Sequence, residues 1–286
     1  MTVQALEDQR LAAQNEQLEV VLQRQVEDER RRQMQRDRLL LWIGRVGLIV
    51  GILLFWELAS GTLLNARYTS KPSEIAALLQ RWFASGEVWI HLQTTLTEVL
   101  AGYALGVVLG LGAAIVLTFF QRAFMVVRPF IVAFYGIPKV ALAPILVMWL
   151  GLGITPKIVI ATIIVFFVMF MNTVAGLSHV RAELVDIARV MGASRLQIMR
   201  KIMLPAAAPY ILTAMRVTIP DAVVGAIIGE FIAGSVGMGN LIRRSSSQLV
   251  TAGVFGGIFI LAMFVMGMRV LLTPLERRLQ GWRDQD

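Results

Sequence analysis

The sequence predicts an all-α polytopic membrane protein with six transmembrane helices, a short cytoplasmic helix between two of them and an extra charged helix at its N-terminus. Three observations lead there. Of its 286 residues 57% are apolar, and the mean hydropathy is +0.69, above the usual range of soluble domains. The excess lies in long runs with few charges, and roughly 20 apolar residues cross the hydrocarbon. Lysine and arginine are distributed very unevenly among the segments between those runs.

Residues 1–38 carry no Gly or Pro and alternate acids with bases, as in ERRRQMQRDR. Leu11, Leu18, Leu22 and Val26 fall near one helical face, so a solvated or membrane-skimming cytoplasmic helix is expected there, with a short coiled-coil contact as the sharper alternative. The membrane domain covers 39–286. Its first span is Leu39–Leu58, with Arg45 and Glu57 near the two ends, where long side chains snorkel. The second is Val99–Phe120, free of charge; the third, Phe130–Leu150, is interrupted by Pro138, Lys139 and Pro144. The fourth is Ile158–Ser178, the fifth runs from near Pro209 to Gly229 with Arg216 and Asp221 inside, and the sixth is Val250–Met268. In the second span Gly102, Gly106 and Gly110 recur every four residues, a small-residue face that lets another helix approach closely.

Basic residues set the expected orientation. Eighteen of the 27 Lys and Arg fall in the N-terminal segment, the 121–128 loop, the 181–201 loop and the tail, against six on the opposite side. That asymmetry puts both termini and the 181–205 loop in the cytoplasm. The formal charge of +8 is thus a membrane-topology signal, and no nucleic-acid partner is inferred from it. Cysteine is absent, so disulfide and thiol chemistry are excluded.

The 181–205 loop is built like a structural element. ELVDIARVM repeats apolar residues at three and four, Gly192 follows where a helix end wants positive φ, and Ser194 with Gln197 has capping-box spacing. A second helix presents Leu196, Met199 and Met203 on one side, and Pro205 is expected to close it. An interfacial helix that only trims the bilayer would look similar.

VDIARVMGASRLQIMRKIMLPAAAP resembles the loop signature of binding-protein-dependent ABC-transporter permeases: Glu-Ala-Ala, three residues, Gly, nine residues, Ile, one residue, Leu-Pro. Asp186, Ile187 and Ala188 take the triplet, with Asp for Glu and Ile for Ala; Gly192, Ile202, Leu204 and Pro205 take the rest, at intact spacing. HLQTTLTEVLAGYALGVVLG, GIPKVALAPILVMWLGLG, FFVMFMNTVAGL and GEFIAGSVGMGNLI are similar to the nitrate, sulfonate and taurine branch, which also includes permeases for thiamine-precursor pyrimidines. The N-terminal helix is not part of that pattern.

The resemblance implies that the loop is a coupling helix seated in a separate ATPase, with Asp186, Ala188, Gly192, Ala193, Ser194, Ile202, Leu204 and Pro205 as the coupling residues. It implies a multi-pass protein of the bacterial inner membrane, a second copy of the chain, two ATP-binding subunits, an extracytoplasmic solute-binding protein and a small anionic or heterocyclic cargo. ATP and Mg would belong to the partner, because no phosphate-binding loop of Walker type occurs here: GLGITPK has the wrong spacing. No cofactor and no catalytic residue are expected in this chain. His91 and His179 lack metal-ligand spacing and are expected at solvent or interface.

Ionisable and amide groups inside spans mark candidate pathway residues. These are Lys139 between its prolines, Asn172 in the fourth span, Arg216, and Glu230 before the GMGNL turn; pairing across helices is the competing use. Two rival functions make other demands. A gradient-driven carrier predicts inverted repeats and deep acids, of which Asp221 is the one clear instance. A non-transporting scaffold predicts that residues 1–38 matter and Gly192 does not.

Overall fold

In the computed structural model, residues 33–34 and 36–280 are described, the side chains of Gln121 and 271–280 excepted. Most of the charged helix expected over 1–38 lies outside them. The chain divides into two units, 1–64 and 65–286. The first contains α1 (Arg36–Ala59), apolar enough to cross a membrane, whose large apolar side chains from Leu39 to Phe55 are exposed as lipid-facing residues are.

The second unit follows the order α2 (Ala66–Thr69), α3 (Pro72–Ser85), α4 (Glu87–Phe119), α5 (Gln121–Gly136), α6 (Lys139–Leu150), α7 (Thr155–Ser178), α8 (Ala182–Val190), α9 (Arg195–Ile198), a π-helical turn (Met199–Met203), α10 (Leu204–Ala233), α11 (Met238–Ser247) and α12 (Thr251–Gln280). Among the described residues of the whole chain, α1 included, five helices are long and apolar enough to span a membrane, or six if the bent pair α5–α6 counts as one span. No strand occurs among the described residues.

Helices α4, α7 and α10 form the core. A Cβ built on Gly102 would lie 2.5 Å from the Ala161 Cβ, one on Gly106 2.5 Å from the Val165 Cβ, and one on Gly110 2.7 Å from the Phe166 carbonyl. The small-residue face of α4 therefore receives α7 of the same chain. From the other side Gly225 of α10 would place a Cβ 2.5 Å from the Ala161 Cα. Val99, Val165, Ile219, Ala222 and Ala226 fill the remaining space. Lipid offers no hydrophobic drive to associate, so backbone proximity of this kind supplies the packing.

Three expectations are corrected. The third span starts at Arg122, not Phe130, and is broken at Pro138 as expected but not at Pro144: α5 and α6 meet at 94°. Ile137, ahead of Pro138, is extended (φ −68°, ψ 131°) because the proline ring disfavours helical geometry before it. Pro205 does not close the second loop helix. Residues Arg195–Ala233 run on as one helix, with Pro205 in the first turn of α10 after the π-turn, where a missing N–H is tolerated. The second span begins at Glu87, a dozen residues early, because its charged first turns are helical too. Helices α3 and α11 were not expected at all; Trp82, Val88, Met238, Leu241 and Ile260 pack them against α4 and α12.

Candidate functional site

Two regions of the 65–286 unit concentrate polar chemistry. The first is the 181–205 loop. Helix α8 ends in a paired closure: Ala193 N–H donates to the Ala188 carbonyl at 2.9 Å and Gly192 N–H to that of Arg189 at 2.9 Å, with Gly192 at φ +79°. Ser194 then opens α9. Its Oγ accepts from Gln197 N–H at 3.3 Å while its own N–H donates to Gln197 Oε1 at 2.8 Å, the reciprocal box the spacing predicts. Asp186, exposed, pairs with Arg189 at 3.1 Å, a solvent-screened contact of small energetic weight. Ala188, Ala193, Ile202 and Leu204 are partly buried beneath this surface and Pro205 is exposed. Leu177, Met199 and Ala207, with Ile115 and Phe119 beside them, root the element in α4, α7 and α10.

The second region is a buried polar cluster where α4, α7, α10 and α11 converge. Lys157, 4% exposed in the first turn of α7, donates to Glu98 Oε1 at 2.7 Å and to the Val236 carbonyl at 3.3 Å. Glu98 is 0% exposed and adjacent to Glu230, and its Oε2 has no hydrogen-bond donor among the described residues. Glu230, also 0% exposed, accepts from Thr95 Oγ1 at 2.6 Å and from Gly239 N–H. Thr95 in turn accepts from Met238 N–H at 2.8 Å, and His91 Nδ1 accepts from Gly237 N–H at 3.0 Å. The turn 234–239 thus hangs on side chains of α4 and α10, which accept from the N–H groups of Gly237, Met238 and Gly239. A Cβ on Gly237 (φ +130°) would fall 2.2 Å from the Glu230 carboxyl, so the close approach requires glycine there.

The predicted pathway residues separate. Lys139 reaches back across the α5–α6 break: its ammonium donates to the Tyr135 carbonyl, one of the groups freed where α5 ends, and lies 4.4 Å from the Tyr135 ring centroid. Phe167 of α7 flanks the same ring at 6.3 Å. Asn172 donates to the Val168 carbonyl of its own helix at 2.8 Å, and Arg216 is exposed. Glu230 is committed to the buried cluster instead.

The histidine expectation holds for one residue and not the other. His179 is exposed and stacks on Tyr210 at 5.1 Å, whereas His91 is buried and bonded, not at solvent. Sequence reasoning passed over Glu98, Lys157 and Thr95 as site residues and did not expect His91 to join them. The one available signal was a charged residue at each of two span ends, Glu98 and Lys157.

Residues 106–281 match the family described as binding-protein-dependent transport system inner membrane component. The formylaminopyrimidine transport permease protein of Halalkalibacterium halodurans is 32% identical over 233 residues, which are 81% of this chain and 92% of that protein. The taurine transport system permease protein of Escherichia coli K12 is 26% identical over 250 residues, 86% of this chain and 90% of its own. Among solved structures, the chain is similar to one of inward-facing conformations of the MetNI methionine ABC transporter, with a TM-score of 0.51 and 20% identity over 67% of this chain and 94% of that one; this likeness speaks for the fold.

Proposed function

The chain belongs to the binding-protein-dependent transport system inner membrane components, and from that premise we propose how this ABC-transporter permease is coupled, oriented and loaded. Helices α8 and α9 dock in a groove of a separate ATP-hydrolysing subunit, which supplies the ATP and Mg site and leaves this chain without catalysis. The observation that carries this reading is the joint at Gly192–Gln197. Two helices, each closed by its own cap on either side of one left-handed glycine, make a stiff knob, and α9 continues without a break into α10. Movement of the docked subunit therefore reaches the α4–α7–α10 core as a rigid-body shift, not as a loop rearrangement. The coupling contact takes in Asp186, Ala188, Gly192, Ala193, Ser194, Ile202, Leu204 and Pro205.

The working unit has two copies of this chain, two ATPase subunits and an extracytoplasmic binding protein, in the bacterial inner membrane with both termini in the cytoplasm. The cargo is a small anion of sulfonate type or a small heterocycle, as the names of the relatives suggest for those proteins. Lys139, Asn172 and Arg216 contribute to the pathway; the ammonium over the Tyr135 ring beside Phe167 offers both charge and an aromatic face to such a solute. Glu230 acts in the pathway indirectly, by holding the 234–239 turn.

The test is recovery of the tagged chain from its own membranes in mild detergent, with the bound proteins weighed. An ATPase at one copy per permease supports the reading; a folded chain that brings none overturns it and favours a gradient-driven carrier.

A further inference from the structure

The helix that joins the loop to the bundle changes its winding at one place. Over Met199–Met203, Leu204 N–H reaches back five residues to the Met199 carbonyl, not four to that of Arg200. A proline follows directly on the widened turn. Pro205 has no N–H for the Lys201 carbonyl four residues back, and in an α-helix its ring would crowd that carbonyl. A wider turn takes in one additional residue and relieves both faults.

One residue rotates an α-helix by about 100°. The additional residue therefore decides which face of α9 meets the bundle. As wound, Ile198 and Met199 are 4% exposed and Leu196 is 66% exposed, with Arg195, Gln197 and Lys201 also facing out. A cavity of about 1140 Å³, lined among others by Phe119, Arg122, Asp186, Arg195 and Met203, lies alongside. Packing alone therefore does not clamp α9 on every side.

We propose that Pro205 is a positioning residue: through the π-turn it sets the rotational phase of α9 on α10, so that the Leu196 face and not the Ile198 face is offered to the partner subunit. This rests on the docking reading above, and the two are tested by separate readouts.

The chain has no cysteine, so a single one reports exposure cleanly. In inside-out membranes from cells lacking the partner ATPase, Leu196→Cys should be labelled by a water-soluble thiol reagent and Ile198→Cys protected. Adding Pro205→Ala frees the turn to rewind as α-helix with the additional residue retained, and labelling at 198 should rise at least about fivefold. Deleting Lys201 as well removes the additional residue, and the parental pattern should return. In the reconstituted transporter, solute moved per ATP hydrolysed should fall about fivefold or more in Pro205→Ala and in the Lys201 deletion, and recover to within about twofold in the double variant. Mutual rescue is what a phase-setting role demands; a merely structural role makes the two losses add. Unchanged labelling in Pro205→Ala, or a double variant worse than either single one, overturns the proposal. Shifted labelling with parental coupling leaves the winding intact and sinks the docking reading instead.

Discussion

Lys157 and Glu98 meet at 2.7 Å with their side chains 5% and 0% exposed, an ion pair shut inside the bundle. Nothing in hydrocarbon compensates a lone charge, so each partner is the condition for the other's burial. The pair fastens the start of α7 to α4, and Lys157 also holds the Val236 carbonyl of the turn.

Lys157→Met is expected to destabilise the folded chain by about 3–5 kcal/mol, because it strands the Glu98 carboxylate. Lys157→Met with Glu98→Leu should recover most of that loss. Thermal unfolding in detergent, followed by size-exclusion chromatography, reads both. A double variant no more stable than Lys157→Met alone would mean that the pair does not carry the packing.

Gly106 and Gly112 lie on the same helix and should respond oppositely. A Cβ at 106 collides with the Val165 side chain, whereas one at 112 meets nothing within 4 Å. Gly106→Leu is expected to force α4 from α7 and cost at least about 2 kcal/mol, seen as lost folded yield. Gly112→Leu should express and insert as the parent does. Equal yields from the two would refute the close α4–α7 contact.

The spans around 39–58, 158–178 and 250–268 were legible because clean apolar runs have one economical solution in a bilayer. The Gly102–Gly106–Gly110 face was legible as a contact, though α7 could be identified as its occupant only from the fold. Helix α4 was read too short because Glu87 and Glu98 look like water-side residues; the neutralising partner of Glu98 stands 59 residues away, beyond any spacing rule. The loop caps at Gly192 and Ser194 are local and were read correctly. The fate of Pro205 was not, because a proline in the first turn of a helix segment lets the chain continue, and the widened turn ahead of it leaves no mark in periodicity.

Gly192 holds φ +79° at the joint of the loop. Proline, fixed near −65°, cannot adopt it, so Gly192→Pro should deform the knob while the spans still insert. The expected result is normal membrane content with ATP hydrolysis no longer coupled to uptake. Gly192→Ala, paying about 1–2 kcal/mol for a left-handed residue, should fall between. Uptake at the parental rate in Gly192→Pro would refute the coupling assignment. Leu204→Asp, at the root of the same lever, should reproduce the uncoupled state.

Turn 234–239 and loop 181–205 should lie on opposite sides of the membrane, since one span, α10, separates them and the basic residues favour the side of the loop. Glu183 and Ser247 are both exposed, one on α8 and one at the end of α11. In the cysteine-free background, Ser247→Cys in intact spheroplasts should react with a membrane-impermeant thiol reagent. Glu183→Cys should react only after the membrane is opened. The two sites sit outside the buried cluster and the capping box, so neither substitution disturbs the elements whose side it reports. Labelling of Glu183→Cys from outside would invert the orientation and, with it, remove α8 and α9 from any cytoplasmic ATPase.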